Sequence, residues 1–260
     1  MQAFWRGTVH IARLRIPVKL YAAAEEKAVV LHNRHKECGH AVTQLKYCAY
    51  CAMAVEPDEL ERAYQRGGDR PVALTEEELR SIAPENDKRF RVVRFARASE
   101  VPALWMKKHY YVGADEVGED ALTLVGEQLR RLGRIGIGYI TLRSVRQLAG
   151  LWASDDALVL TTLHYADEVR SAPGSAQAPS GRPDGEASAE LGALIEAMSG
   201  PFEPKQYANV YQDALRKLVA SKLSNRPPED ERPPEPADED GDSRDLLDAI
   251  RASLKELGRS

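Results

Sequence analysis

The side chains best suited to chemistry lie between His35 and Cys51, in HKECGHAVTQLKYCAYC. His35 and Cys38 form H-x-x-C. Cys48 and Cys51 form C-x-x-C, with nine residues between the two pairs. Two short-spaced pairs of imidazole and thiolate donors can close one tetrahedral Zn²⁺ site, a single structural ion per chain. Gly39, directly after Cys38, suits the tight turn of a metal knuckle, and His40 is a substitute ligand. The competing reading takes the cysteines as small buried apolar residues. Three cysteines cannot all pair within one chain, and a reducing compartment disfavours disulfides in any case.

The second feature is a run of arginines. Residues 128–154 hold Arg130, Arg131, Arg134, Arg143 and Arg146 and no carboxylate. The same absence of acids recurs at 1–24, with Arg6, Arg13, Arg15 and Lys19, and at 88–97, with Lys88, Arg89, Arg91, Arg94 and Arg97. Solvated faces mix both signs, whereas a surface that neutralises phosphates does not. The chain as a whole carries a formal charge of −4. Residues 226–260 hold eleven acids and six bases, so the remaining residues are net +1. The acidity belongs to the tail, and the pI says little about the folded part.

Other chemistry finds little support. Gly133, Gly136 and Gly138 read G-x-x-G-x-G, the wrong order for a dinucleotide loop, and they interrupt a strand pattern. No G-x-S-x-G, H-E-x-x-H or P-loop occurs, and grouped carboxylates are confined to the tail, so no enzyme is expected. No base-reading motif is present either. No run of 18 apolar residues could span a membrane. The N-terminus alternates as a strand and lacks the apolar block of a secretion signal, so a cytoplasmic location is expected.

The elements that position these residues are mainly β with helical additions. Strand patterns cover the N-terminus, 70–75, 89–96, 136–142 and 157–163, rich in Val, Ile, Thr and aromatics. A helix opens at Thr75 with Glu78 three residues on, the spacing of a capping box. A second runs from 119 to a C-terminal glycine at Gly133. Residues 171–188 form a Pro/Gly/Ser/Ala loop. Residues 190–223 read as two helices broken at Ser199-Gly200-Pro201, with apolar faces on both. The divisions expected are a strand-rich core at 1–188, a helical arm at 189–224, a disordered acidic Pro-rich linker at 225–242 and a helix at 243–260. That last helix carries a stripe of Leu247, Ile250, Leu254 and Leu257, with Leu246 at its edge. It is too short to stand alone. It must dock on its own core or serve as a ligand for another protein, and the long linker favours the partner.

Several segments resemble the bacterial Ku family in order. FWRGTVHIARLRIPVKLYAAAEE resembles the family's opening, and RPVALTEEELRSI its V-V-L-T-D-E-E-L segment. MKKHYYVG, GRIGIGYITLRSVRQLAGLW, LHYADEVR, MSGPFEPKQYANVYQDAL and the terminal DLLDAIRASL resemble further segments. The resemblance implies a Ku-type β-barrel core with a DNA-encircling bridge at about 30–72, a C-terminal helical arm and a flexible acidic tail. It implies a nucleoid-associated homodimeric ring without catalytic activity. Such a ring threads onto double-strand DNA ends regardless of sequence and recruits the multifunctional ATP-dependent ligase D for non-homologous end joining. On the bridge, Arg34, Lys36, Lys46, Arg66 and Arg70 are the expected DNA contacts. On the barrel they are Arg13, Arg15, Lys19, Arg143 and Arg146. The expected ligase contacts are Leu246, Leu247, Ile250, Leu254 and Leu257. The chain ends at Ser260 without the lysine-rich extension of some members, so bridging by a basic tail is not expected. The alternatives are a zinc-ribbon transcription regulator, another duplex-binding protein, or an enzyme acting on nucleic acid.

Overall fold

A computed structural model describes residues 1–84, 87–115, 117–154, 157–174, 185–224 and 246–257. Seven strands close a barrel: β1 (Trp5–Ile11), β2 (Leu14–Ala22), β7 (Arg89–Arg97), β8 (Met106–Ala114), β9 (Arg134–Leu142), β10 (Val145–Ala153) and β11 (Leu158–Leu163). Around the barrel the order is β1-β2-β8-β11-β10-β9-β7, and the parallel pairing of β1 with β7 closes it. All other pairings are antiparallel. Closure leaves no unpaired edge.

Period-two alternation decides what each strand contributes. On β2, Ile16, Val18 and Leu20 point into the core while Arg15, Pro17 and Lys19 face out. On β7, Phe90 is buried between Arg89 and Arg91. The interior is filled by Val9, Ile16, Leu20, Phe90, Ile140, Leu151 and Leu160 among others. Helix α2, at Glu119–Leu132, adds Leu122 and Leu129, seven residues apart on one face, to the same cluster. Each such Leu contributes about 1.5–3 kcal/mol by leaving water. Gly133 takes the left-handed conformation (φ 57°) that ends α2 and turns the chain into β9.

Strands β8 and β10 are absent from the sequence-based expectation. Lys107, Lys108 and His109 mask the alternation in one, and Gly150 and Gln147 lower the β-propensity of the other. The pattern at 70–75 does form a strand, β6 (Val72–Leu74), but outside the barrel.

Residues 33–74 lie between barrel strands in sequence and form small ribbons. Arg34 bridges Ala41. β3 (Tyr47–Cys48) pairs β4 (Met53–Ala54), and β5 (Arg62–Tyr64) pairs β6. Within this segment only Cys48, Val55 and Leu74 are even half-buried, so it has no core of its own. Helix α1, Glu76–Ile82, follows with its capping box formed: Thr75 Oγ1 accepts from Glu78 N, and Glu78 Oε2 accepts from Thr75 N.

The chain divides into two units, residues 1–26 with 33–171, and 27–32 with 172–260. The second contains α3 (Glu186–Ala197), α4 (Val210–Leu223) and α5 (Leu246–Leu257). Residues 27–32 join it through Val29 N, which donates to Gln212 Oε1, and Lys27 O, which accepts from Arg216. The expected linker, the start of the terminal helix at 242–243 and the side chain of Leu246 lie outside the described residues. Among the described residues, no helix is long and apolar enough to cross a membrane.

Candidate nucleic-acid interface

The barrel register gathers basic side chains that are far apart in sequence. Arg15 lies opposite His10, His10 opposite Arg91, and Arg91 opposite Tyr139. All four occupy outward positions of β2, β1, β7 and β9. With neighbouring strands about 4.8 Å apart, this row spans about 14 Å of sheet. A second row runs beside it: Thr8 is opposite Arg89, and Thr141 opposite Arg146. Arg89, Arg91 and Arg146 line a shallow groove with Tyr139, Thr141 and Asp87. The Arg146 guanidinium stacks 4.5 Å above the Tyr139 ring, which fixes its direction at little entropic cost.

The groove is electropositive. Asp87 pairs with Arg89 at 3.3 Å. No carboxylate pairs with Arg15, Arg91 or Arg146 among the described residues. The His10 imidazole registers this field. Burial first, then the cations of Arg15, Arg89 and Arg91, push its pKa below the usual histidine range, and Asp87 opposes them. Duplex DNA carries a negative charge per about 1.7 Å of axis, so a row of this length is long enough to face several phosphates.

A turn after β11 braces the groove. Tyr165 Oη donates to the Arg146 carbonyl at 3.2 Å. Glu168 accepts from Lys107 Nζ at 2.6 Å and from Tyr165 N at 2.8 Å, and His164 lies 3.3 Å away. These bonds hold the Glu168 carboxyl down at about 2. The segment LHYADEVR is thus a clamp between β8 and β10.

The expected contacts divide accordingly. Arg15 and Arg146 belong to the groove face. Arg13 and Arg143 sit in the tight turns β1–β2 and β9–β10, where Ala12 (φ 52°), Arg143 (φ 49°) and Ser144 (φ 63°) take left-handed conformations. Glycine or asparagine would be less strained there. Lys19 is committed instead to an ion pair with Asp115 at 2.6 Å, which offsets its charge. Arg34, Lys36, Lys46, Arg66 and Arg70 are exposed along the 33–74 segment. Arg89, Arg91 and Tyr139 are groove residues that the expectation leaves out. The acid-free run at 88–97 contains the two arginines, and alternation with buried Phe90 is the signal that turns them outward.

The cysteine segment folds into two knuckles. His35 N donates to His40 O and Gly39 N to His35 O, with Gly39 left-handed at φ 72°. This places His35 Nδ1 3.1 Å from Cys38 Sγ. Cys48 ends β3 and Cys51 lies in the turn that leads to β4. Hydrogen bonds from the Cys51 backbone and side chain and from the Tyr50 backbone hold the Cys48 thiol below its usual range. Each pair brings its two donor side chains close together. Among the described residues no three His, Cys, Asp or Glu side chains converge into one cage.

Helix α5 is docked within its own unit. It packs on α3, with Ile250 only 4% exposed and Leu247 and Leu254 half-buried, while Leu257 is exposed. Of the stripe read from the sequence, Ile250 is thus buried within the chain itself, while Leu257 stays exposed.

A family model described as the Ku70/Ku80 beta-barrel domain matches residues 10–191. The non-homologous end joining protein Ku of Bacillus subtilis is 35% identical, over 100% of this chain and 83% of its own length. The protein of the same name from Archaeoglobus fulgidus is 30% identical over 98% of this chain and 99% of its own. That from Mycobacterium tuberculosis is 28% identical over 98% and 95%. With its closed seven-stranded barrel and a family match across most of its length, the chain belongs to the Ku family of non-homologous end joining proteins.

Proposed function

We propose that the protein binds double-strand DNA ends without sequence preference, as a non-catalytic homodimeric ring acting at the nucleoid in the cytoplasm. The observation that carries this is the basic groove on the outside of the barrel. It offers phosphate-binding guanidinium groups on a rigid sheet and no base-reading helix. Phosphate contacts give affinity without sequence information, which suits a protein whose sites are breaks. Exposed apolar side chains on the arm, such as Ile195, Met198, Phe202 and Tyr207, support self-association. Within the same reading the terminal helix recruits ligase D. Charge reversal at Arg91 and Arg146 tests the interface. Each lost charge-assisted contact should cost about tenfold in affinity, equally for all sequences, and reduce the salt slope by about 1 per contact. Unchanged salt dependence would place the DNA elsewhere.

We also propose that residues 33–74 bind one Zn²⁺ through His35, Cys38, Cys48 and Cys51. The segment lacks a core, and a metal is a common staple for such pieces. The two half-sites would have to draw together. Elemental analysis of protein purified without chelator should give one zinc per chain, and Cys48→Ser with Cys51→Ser should lose it. A zinc content near zero rejects the site.

A further inference from the structure

The contact between α5 and α3 uses the surface that recruitment requires. Along α3 the half-buried positions are Ala187, Ser188, Glu190 and Leu194, and Ala187, Glu190 and Leu194 among them recur at spacings of three and four on one face of the helix. Along α5, Ile250 is buried and Leu247, Ala249 and Leu254 are half-buried, so three of the five residues assigned to the partner are wholly or partly covered and Leu257 is exposed. Arg251, beside Ile250, closes the contact. Its Nε lies 2.9 and 3.1 Å from the two carboxylate oxygens of Glu190, and its Nη2 lies 2.6 Å from Glu186 Oε1. Glu186 and Glu190 are four residues apart on α3, a like-charge spacing that destabilises a helix, and a single guanidinium relieves both.

We infer that α3 is an internal decoy for the ligase: it holds the recruiting stripe of α5 covered, and ligase D binds only chains in which α5 has left α3. This inference rests on the recruitment reading above. An apolar stripe cannot face two grooves at once, so docking on α3 and docking on a partner exclude each other. The lock is also weak enough to open. Arg251 is 48% exposed, Glu186 69% and Glu190 24%, so the Glu186 limb is screened by solvent and salt and the Glu190 limb less so. One buried isoleucine and two half-buried leucines complete it. The apparent affinity of a partner for α5 is then reduced by the fraction of chains in which α5 is free.

The α3 carboxylates separate the lock from the recruiting helix, because Glu186 and Glu190 are not on α5. Full-length ligase D is titrated against three proteins: the full chain, the full chain carrying Glu186→Lys and Glu190→Lys, and a chain lacking residues 243–260. Amide exchange over 247–257 in the free proteins is followed alongside. The double substitution should speed exchange in α5 and tighten ligase binding about fivefold, while the truncated chain binds no ligase. Faster exchange with unchanged or weaker ligase binding overturns the decoy and leaves recruitment standing. Unchanged exchange shows that these carboxylates do not hold α5 and overturns the decoy as well. If the truncated chain binds ligase as well as the full chain, recruitment by the tail is wrong and the decoy falls with it. Glu186→Gln with Glu190→Gln, which removes the attraction without adding repulsion, should give the same signs at smaller size.

Discussion

His10 is the residue where the electrostatics of the groove can be read by titration. In the free protein, burial and the cations of Arg15, Arg89 and Arg91 keep its imidazole neutral at pH values where an isolated histidine begins to charge, and Asp87 only partly offsets them. A phosphate seated on the row adds negative charge and raises that pKa again. Binding therefore takes up a proton, and affinity rises as pH falls through the bound-state value. Titrations of linear duplex by fluorescence anisotropy between about pH 7.5 and 5.5 should show this rise, and His10→Gln should flatten it. Parallel profiles for the two proteins would mean that no phosphate approaches His10. Cys48 is a residue-scale counterpart on the other segment. The hydrogen bonds around it lower its thiol pKa and so favour the thiolate.

At the level of elements, the close approach of β7 and β9 sets the groove. A Cβ at Gly138 would lie 1.9 Å from the carbonyl oxygen of Arg91, an overlap with rigid backbone. Gly138→Ala should push β7 outward, cost about 1–3 kcal/mol in denaturant melts, and weaken DNA binding beyond that loss by displacing Arg91. Stability close to the parent's would show that the strands have slack. The strands β1, β2 and β7 are legible in the sequence because apolar residues alternate there with outward charge, and β9 and β11 because they are short runs rich in Val, Ile, Leu and Thr. So are α1 and α2, whose caps are local: Thr75 with Glu78, and Gly133. The basic row is not legible, because it depends on which strands become neighbours. Arg15 and Tyr139 are far apart in the chain and come into one row, through His10 of β1 and Arg91 of β7, only by barrel closure. Lys19 shows the same limit from the other side. Its partner Asp115 lies on a distant segment, so spacing alone leaves it an apparently free cation. The docking of α5 also escapes the sequence, since the stripe reads the same whether α3 or a partner covers it.

On the scale of the whole molecule, the charge is segregated. Residues 1–225 are net +1 and the tail from 226 is net −5, so the acidic tail is repelled from phosphate while the barrel attracts it. The basic, core-less segment 33–74 and the basic barrel face both belong to the first unit, which by itself carries every expected DNA contact. A ring can load only where the duplex stops, whereas an open basic surface can bind anywhere along it. Competition between linear duplex and covalently closed circular duplex of equal length and sequence separates the two, at one fixed salt concentration. If the protein encircles DNA from a free end, the closed circle should compete poorly, and cutting it once should restore full competition. Equal competition by circular and linear DNA would contradict end-dependent binding and leave the groove as a general phosphate-binding surface.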